Sequence, residues 1–132
     1  MQVNPKIRHA LIAVALVLFA STCIAFAQGA PKNAPPSYVA DPAVYKLIGE
    51  NEQYVVIMAE RPVGHRDVWH SHLPQQVTYM LTDCDNRIYT PDGKTTDSHL
   101  KKGSVRFGSG EPSHALENIG KAECDQLIVE HK

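Results

Sequence analysis

Apolar and polar positions divide this chain into stretches with different periods. An unbroken apolar run from Ala10 to Ala20 follows Lys6 and Arg8, and Ser21 and Thr22 precede Ala25-Phe26-Ala27. A basic start, an apolar middle and a small-x-small end form the pattern of a secretory signal peptide, so residues 1–27 read as a leader cut after Ala27. The run is short for a bilayer span, which makes an uncleaved anchor the weaker reading, and no membrane association is expected once the leader is gone. Ala20-Ser21-Thr22-Cys23 matches a lipoprotein box poorly. Residues 28–40 are rich in Ala, Pro and Gly and have no period, as in a flexible lead-in. Asp41 then offers an N-cap with Pro42 behind it. Val44, Leu47 and Ile48 form a helical stripe, and Gly49 stops it, so a short helix is predicted over 41–49.

From Gln53 the period changes. Tyr54 to Ala59, Val77 to Leu81, Arg87 to Tyr89, Ser104 to Phe107 and Leu127 to Val129 are short runs of branched and aromatic residues, which predict strands. Pro91-Asp92-Gly93-Lys94 is a turn joining Arg87–Thr90 to a more polar run over Thr95–Leu100. Many short strands without intervening helices predict a sandwich or barrel. No internal repeat is visible.

Charge narrows the range of partners. The whole chain has 13 basic and 14 acidic residues; removing Lys6 and Arg8 with the leader leaves 11 against 14, a net charge of −3 with histidines neutral. No basic patch remains to attract nucleic acid. About a hundred residues suffice for one compact domain. Cys84 and Cys124 are the cysteines outside the leader, and an exported chain meets an oxidising compartment in which they could bond.

The candidate chemistry lies in the histidines. His70 and His72 stand two apart, where an extended strand points both imidazoles to one side and onto one metal ion. His114 follows about forty residues on, with Asn118 four beyond it. With Gly64 and Gly103, these residues resemble the two signatures of the cupin superfamily. The first is Gly, five residues, His-x-His, three or four residues, Glu; the second is Gly, five residues, Pro-x-Gly, two residues, His, three residues, Asn. The segments Val77–Leu81, Thr90–Lys94, Leu100–Gly103 and Glu117–Gly120 also resemble strands and turns of small single-domain cupins, so the resemblance runs from about Tyr45 to Val129. Two departures stand out. Gln76 occupies the acidic position of the first signature, and Ser109-Gly110-Glu111 replaces Pro-x-Gly in the second.

The resemblance implies an all-β fold, a single-domain double-stranded β-helix or jelly-roll barrel over residues 41–132 with a short N-terminal helix. It implies one divalent transition metal on His70, His72 and His114, with the Gln76 amide oxygen or water as a fourth contact. Three neutral imidazoles suit Fe, Mn, Ni, Co, Cu or Zn. Without a carboxylate ligand, such an ion favours an anionic, oxygen-bearing partner. The resemblance therefore points to a mononuclear oxygenase acting on a small enolisable or anionic molecule, or to a binding and sensing module without turnover. A metal-free barrel serving oligomer contacts is a third reading. Cupins often dimerise by strand exchange or sheet packing, so a homodimer is expected, in the periplasm or secreted. The strand equivalent to Val77–Leu81 lies beside the last strand in that fold, which implies a disulfide between Cys84 and Cys124.

Other residues read more plainly. His65, His99 and His131 are expected in solvent. Trp69 should point away from the ligands, and either Tyr79 or Met80 should face the interior. Asn118 reads equally well as a turn residue. Asp67, Glu111 and Glu117 could orient a ligand imidazole, with no catalytic role assigned.

Overall fold

The computed structural model describes residues 29–132, and the leader read over 1–27 lies outside the described residues. One helical turn, α1 (Ser37–Ala40), precedes nine strands. They are β1 (Tyr45–Glu50), β2 (Tyr54–Arg61), β3 (His70–His72), β4 (Gln75–Met80), β5 (Cys84–Tyr89), β6 (Thr95–Leu100), β7 (Val105–Gly108), β8 (Glu111–Asn118) and β9 (Cys124–His131). One sheet has the order β1-β2-β9-β4-β7 and the other β3-β8-β5-β6. All pairings between these strands are antiparallel. Side chains from both sheets line one cavity between them, the arrangement of a jelly-roll barrel.

Alternation decides what enters the barrel. On β2, Val55, Ile57, Ala59 and Arg61 are buried, and on β9 Cys124, Gln126, Ile128 and Glu130. Ile57 lies opposite Ile128. They join Val44, Tyr45, Val55 and Ala59 in the main apolar cluster, where each buried aliphatic side chain contributes about 1.5–3 kcal/mol. Met80 points inward and Tyr79 outward. Among the described residues, twelve polar or charged side chains are buried against ten apolar ones. So polar an interior is costly unless hydrogen-bonded, and it marks a site rather than a plain core.

The helix predicted over 41–49 is corrected. Residues 42–44 form a turn, and Tyr45–Glu50 pairs with β2. A register shift between Leu47 and Gly49 breaks the alternation that would have betrayed a strand. Pairing along β2 satisfies backbone groups that a separate helix would leave open, and Leu47 and Ile48 are exposed rather than forming a buried stripe. The one helical turn lies earlier, after Pro36. Its Ser37 is buried, the Ala34 amide donates to the Pro112 carbonyl, and the Ser71 amide donates to that of Pro35. The end of the lead-in is thereby stitched along β3 near the histidines.

The turn after Tyr89 forms as expected, with Gly93 at φ 83 and its amide donating to the Thr90 carbonyl. Gly110 also takes a positive φ, and a Cβ there would meet Pro74 Cα at 2.5 Å. This glycine, one position before that of the Pro-x-Gly signature, lets the start of the strand carrying His114 approach the Leu73-Pro74 backbone that follows His72. Cys84 begins β5 and Cys124 begins β9; they are disulfide-bonded, with Cα atoms 5.0 Å apart.

Candidate metal centre

Register brings the histidines together. His70 lies opposite His114 across the β3–β8 pair, and His72 opposite Glu111, with an irregularity between them. Directly opposed residues share a face, and so do residues two apart, so all three rings enter the barrel. One ring nitrogen from each lies within 4.8 Å of the other two. Nitrogens about 2.1 Å from a shared ion would stand closer together than this, so the rings would draw inward to hold one.

Hydrogen bonds decide which nitrogens are free. His70 Nδ1 is 2.8 Å from the Val68 carbonyl, and His72 Nδ1 is 2.5 Å from Glu130 Oε1. Carbonyl and carboxylate oxygens only accept, so both rings carry hydrogen on Nδ1, which makes Nε2 the atom that would meet a metal. Glu130 is itself fixed, since its other oxygen accepts from the Leu73 amide at 3.4 Å. His114 Nδ1 stands 3.2 Å from Glu111 Oε2, near enough for an ion pair but without the alignment of a hydrogen bond. Closeness to His114 is the main influence holding the Glu111 carboxyl below its usual range.

Beneath the triad lies a charged network. Arg61 and Asp67 are fully buried and paired at 3.0 Å. Tyr45 donates to Asp67 Oδ2 at 2.7 Å and accepts from Arg61 Nη2 at 2.5 Å. The Leu116 amide donates to Asp67 Oδ1, and Arg61 Nη1 donates to Asn86. The Tyr45 oxygen is also 3.2 Å from His70 Nε2. A phenol has one hydrogen, and the shorter contact to Asp67 takes it. The fully buried His70 therefore presents a lone pair with no donor, an acceptor that a cation satisfies. Burial first, then the neighbouring His114 and His72, pushes the His70 pKa down to about 2, which keeps the ring neutral and fit to ligate. The donor set fits a transition metal: three imidazoles, at least two of them oriented from behind.

Gln76 lines the same cavity as His72 and His114, with its amide nitrogen donating to Thr78 Oγ1 at 3.1 Å. A Cβ on Gly108 would stand 3.3 Å from Gln76 Oε1, so the glycine leaves room for the amide to lie against β7. The cavity measures about 50 Å3, room for an ion and a few small groups. Ile88, Leu100, Leu116 and Ile128 form its apolar wall, and Arg106 and Glu111 also line it.

Other sequence expectations sort by position. His99 and His131 are exposed, and His65 is half-buried beside Asp41 at 3.4 Å. Asn118 is buried and structural: its amide donates to the carbonyls of Arg61 and Ala122 and accepts from the Gly120 amide. Trp69 and Tyr89 flank the Arg66 guanidinium, and Tyr89 donates to Glu117, outside the cavity lining. Asp67 reaches His70 Nδ1 only at 3.6 Å and is spent on Arg61, Tyr45 and the Leu116 amide. Glu130, Arg61 and Tyr45 were not singled out in the sequence. Their signal was parity: Glu130 continues the inward positions of Gln126 and Ile128, and Arg61 those of Val55, Ile57 and Ala59, where a charge calls for a buried partner.

No family model matches the sequence. No curated protein matches it by sequence either. Solved structures do match in shape. A cupin domain from Bordetella pertussis Tohama I superposes with a TM-score of 0.62 at 22% identity, over 77% of this chain and 99% of that one. An RmlC-like cupin family protein with a double-stranded β-helix fold, from Methanocaldococcus jannaschii, gives a TM-score of 0.54 at 12% identity, over 67% and 78%. The chain has the cupin fold. Within that class it is a small barrel whose His70, His72 and His114 can hold a divalent metal, with a neutral glutamine where the signature has an acid.

Proposed function

We propose that the protein holds one divalent transition metal on His70, His72 and His114 and offers it to a small oxygenated molecule, enolisable or anionic, entering the barrel. The observation that carries this reading is the donorless lone pair of buried His70 beside two further imidazoles. When bound, such an ion supplies Lewis acidity and, if it is iron, oxygen activation, which makes a mononuclear oxygenase the reaction class we assign. The chain's own part is to hold the rings. Val68 and Glu130 fix tautomer and orientation, Gln76 stands by as a neutral fourth contact, and the apolar wall limits water. Iron-loaded protein should consume oxygen on addition of a β-dicarbonyl or catechol compound, followed with an oxygen electrode. Stoichiometric iron with no uptake across both classes would sink the oxygenase and leave the second reading, a metal- or ligand-binding sensor. One observation favours that second reading: Glu111 is the only carboxylate on the cavity lining, so few groups are placed to move a proton.

We further propose export to the periplasm or beyond, supported by the leader pattern and the Cys84–Cys124 bond. The mature chain would begin at Gln28; an intact mass including residues 1–27 from extracytoplasmic fractions would contradict this.

A homodimer is the assembly we assign. On the outer face of the first sheet, Phe107, Val77, Val129 and Val56 form one cross-strand row, and Val105, Tyr79, Leu127 and Met58 the next. A sheet face turned to water carries polar residues, and these eight are apolar. Phe107 is 79% exposed beside an open groove of about 380 Å3 between Tyr54, Val77 and Val129. Under two-fold symmetry the same patch meets itself, and Phe107 of a second copy has a groove to fill.

A further inference from the structure

The cavity contains one cationic side chain besides its histidines, and nothing described in the protein engages it closely. Arg106 pairs with the buried Thr78 across β4 and β7, and its side chain, 44% exposed, stands at the rim of the cavity. It lines the cavity together with His72, His114 and Gln76. Its guanidinium has no hydrogen bond among the described residues, and its nearest carboxylate oxygen is Glu111 Oε1 at 3.9 Å. Glu111 is shared, because its other oxygen leans toward His114 at 3.2 Å. A guanidinium has five N–H donors in a planar fork that matches a carboxylate at two points. The cavity that Arg106 borders has an apolar wall and an uncharged amide, Gln76, at the position the signature gives to an acid.

We propose that Arg106 is the specificity residue of the cavity and that the ligand it selects is a small carboxylate with a further oxygen. The proposal rests on the metal-binding reading above and deepens it. A divalent ion on three neutral imidazoles keeps its full charge. Arg106 adds another positive charge, against which Glu111 is the only carboxylate lining the cavity. A carboxylate offsets that excess and finds the fork, while its second oxygen is of the kind a metal takes up. Neutral diols of the same size gain neither interaction. The cavity volume, about 50 Å3, restricts the ligand to a few heavy atoms beyond the ion.

The test uses glycolate and its neutral counterpart ethylene glycol, titrated calorimetrically into zinc-loaded protein, with Arg106→Gln and Arg106→Lys variants alongside. Zinc content is measured separately on each. Glycolate should bind the wild-type protein at least tenfold more tightly than R106Q, with R106K between them, while ethylene glycol distinguishes none of the three. Zinc stoichiometry should be the same in all, because Arg106 is not among the ligands. Equal glycolate affinity in wild type and R106Q, or no glycolate binding to zinc-loaded wild type, overturns the proposal. A wild-type chain that takes no zinc contradicts the metal reading instead. The same titration on metal-free protein then still decides whether glycolate binding depends on Arg106.

Discussion

Glu130 shows how much of this site depends on a single residue behind a ligand. Its carboxylate holds His72 at Nδ1 and caps the Leu73 amide, so it fixes both the ring and the backbone that carries it. Partners of this kind typically change metal affinity 10- to 100-fold when altered. Glu130→Gln keeps the shape, removes the charge and turns an amide N–H toward a group that needs an acceptor. We expect metal affinity to fall by about 10- to 100-fold in competition with a chromophoric chelator; unchanged affinity would show that Glu130 is only packing. At this scale the sequence was legible where chemistry was local. The two-residue spacing of His70 and His72 is itself the geometry that puts both rings on one face. Tyr45, Arg61 and Asp67 were not legible as a unit, because the network forms only when β1, β2 and the loop before β3 converge.

Elements show where pattern succeeds and where function hides it. β2 and β9 alternate fully in burial, and runs of branched, aromatic or turn-flanked residues mark β4, β5, β6 and β7 in the sequence. β8 is hidden in the sequence because Ser113, His114 and Ala115 are buried in succession and His114 and Asn118 share the face of Leu116, so both faces are covered and the period that announces a strand is lost. β1 was concealed by its irregularity at Leu47–Gly49. The Cys84–Cys124 link ties the start of β5 to the start of β9, joining the two sheets across a separation of 40 residues. The chain-entropy estimate for such a loop is about 4 kcal/mol. Replacing both cysteines by serine should lower unfolding free energy by roughly that amount in urea melts, and wild type under reductant should follow the variant. Coincident curves for oxidised and reduced wild type would contradict a stabilising bond. Arg61 Nη1 and Asn86 Nδ2 lie 3.9 and 3.6 Å from Cys124 Sγ, so the bond also backs the network under His70.

At the scale of the whole molecule, the inside of the barrel is polar and the outside of its larger sheet is apolar, the reverse of a plain soluble sandwich. The inner polarity surrounds the histidines, and the outer rows are the surface on which a second copy is proposed to dock. Light scattering should give twice the mass of the mature chain, and Phe107→Glu should return it to one chain without altering metal content. A wild-type monomer at tens of micromolar concentration would remove the dimer; the concentration is set by the need to populate any weak self-association. The central claim is the convergence of His70, His72 and His114 on one ion. It is tested most directly by elemental analysis of protein purified without a metal-chelating tag, beside single alanine variants of the three histidines. The account predicts one transition metal ion per chain in the wild type and a large loss in every variant. A metal-free wild type that stays so after reconstitution, or variants that retain full occupancy, would contradict it.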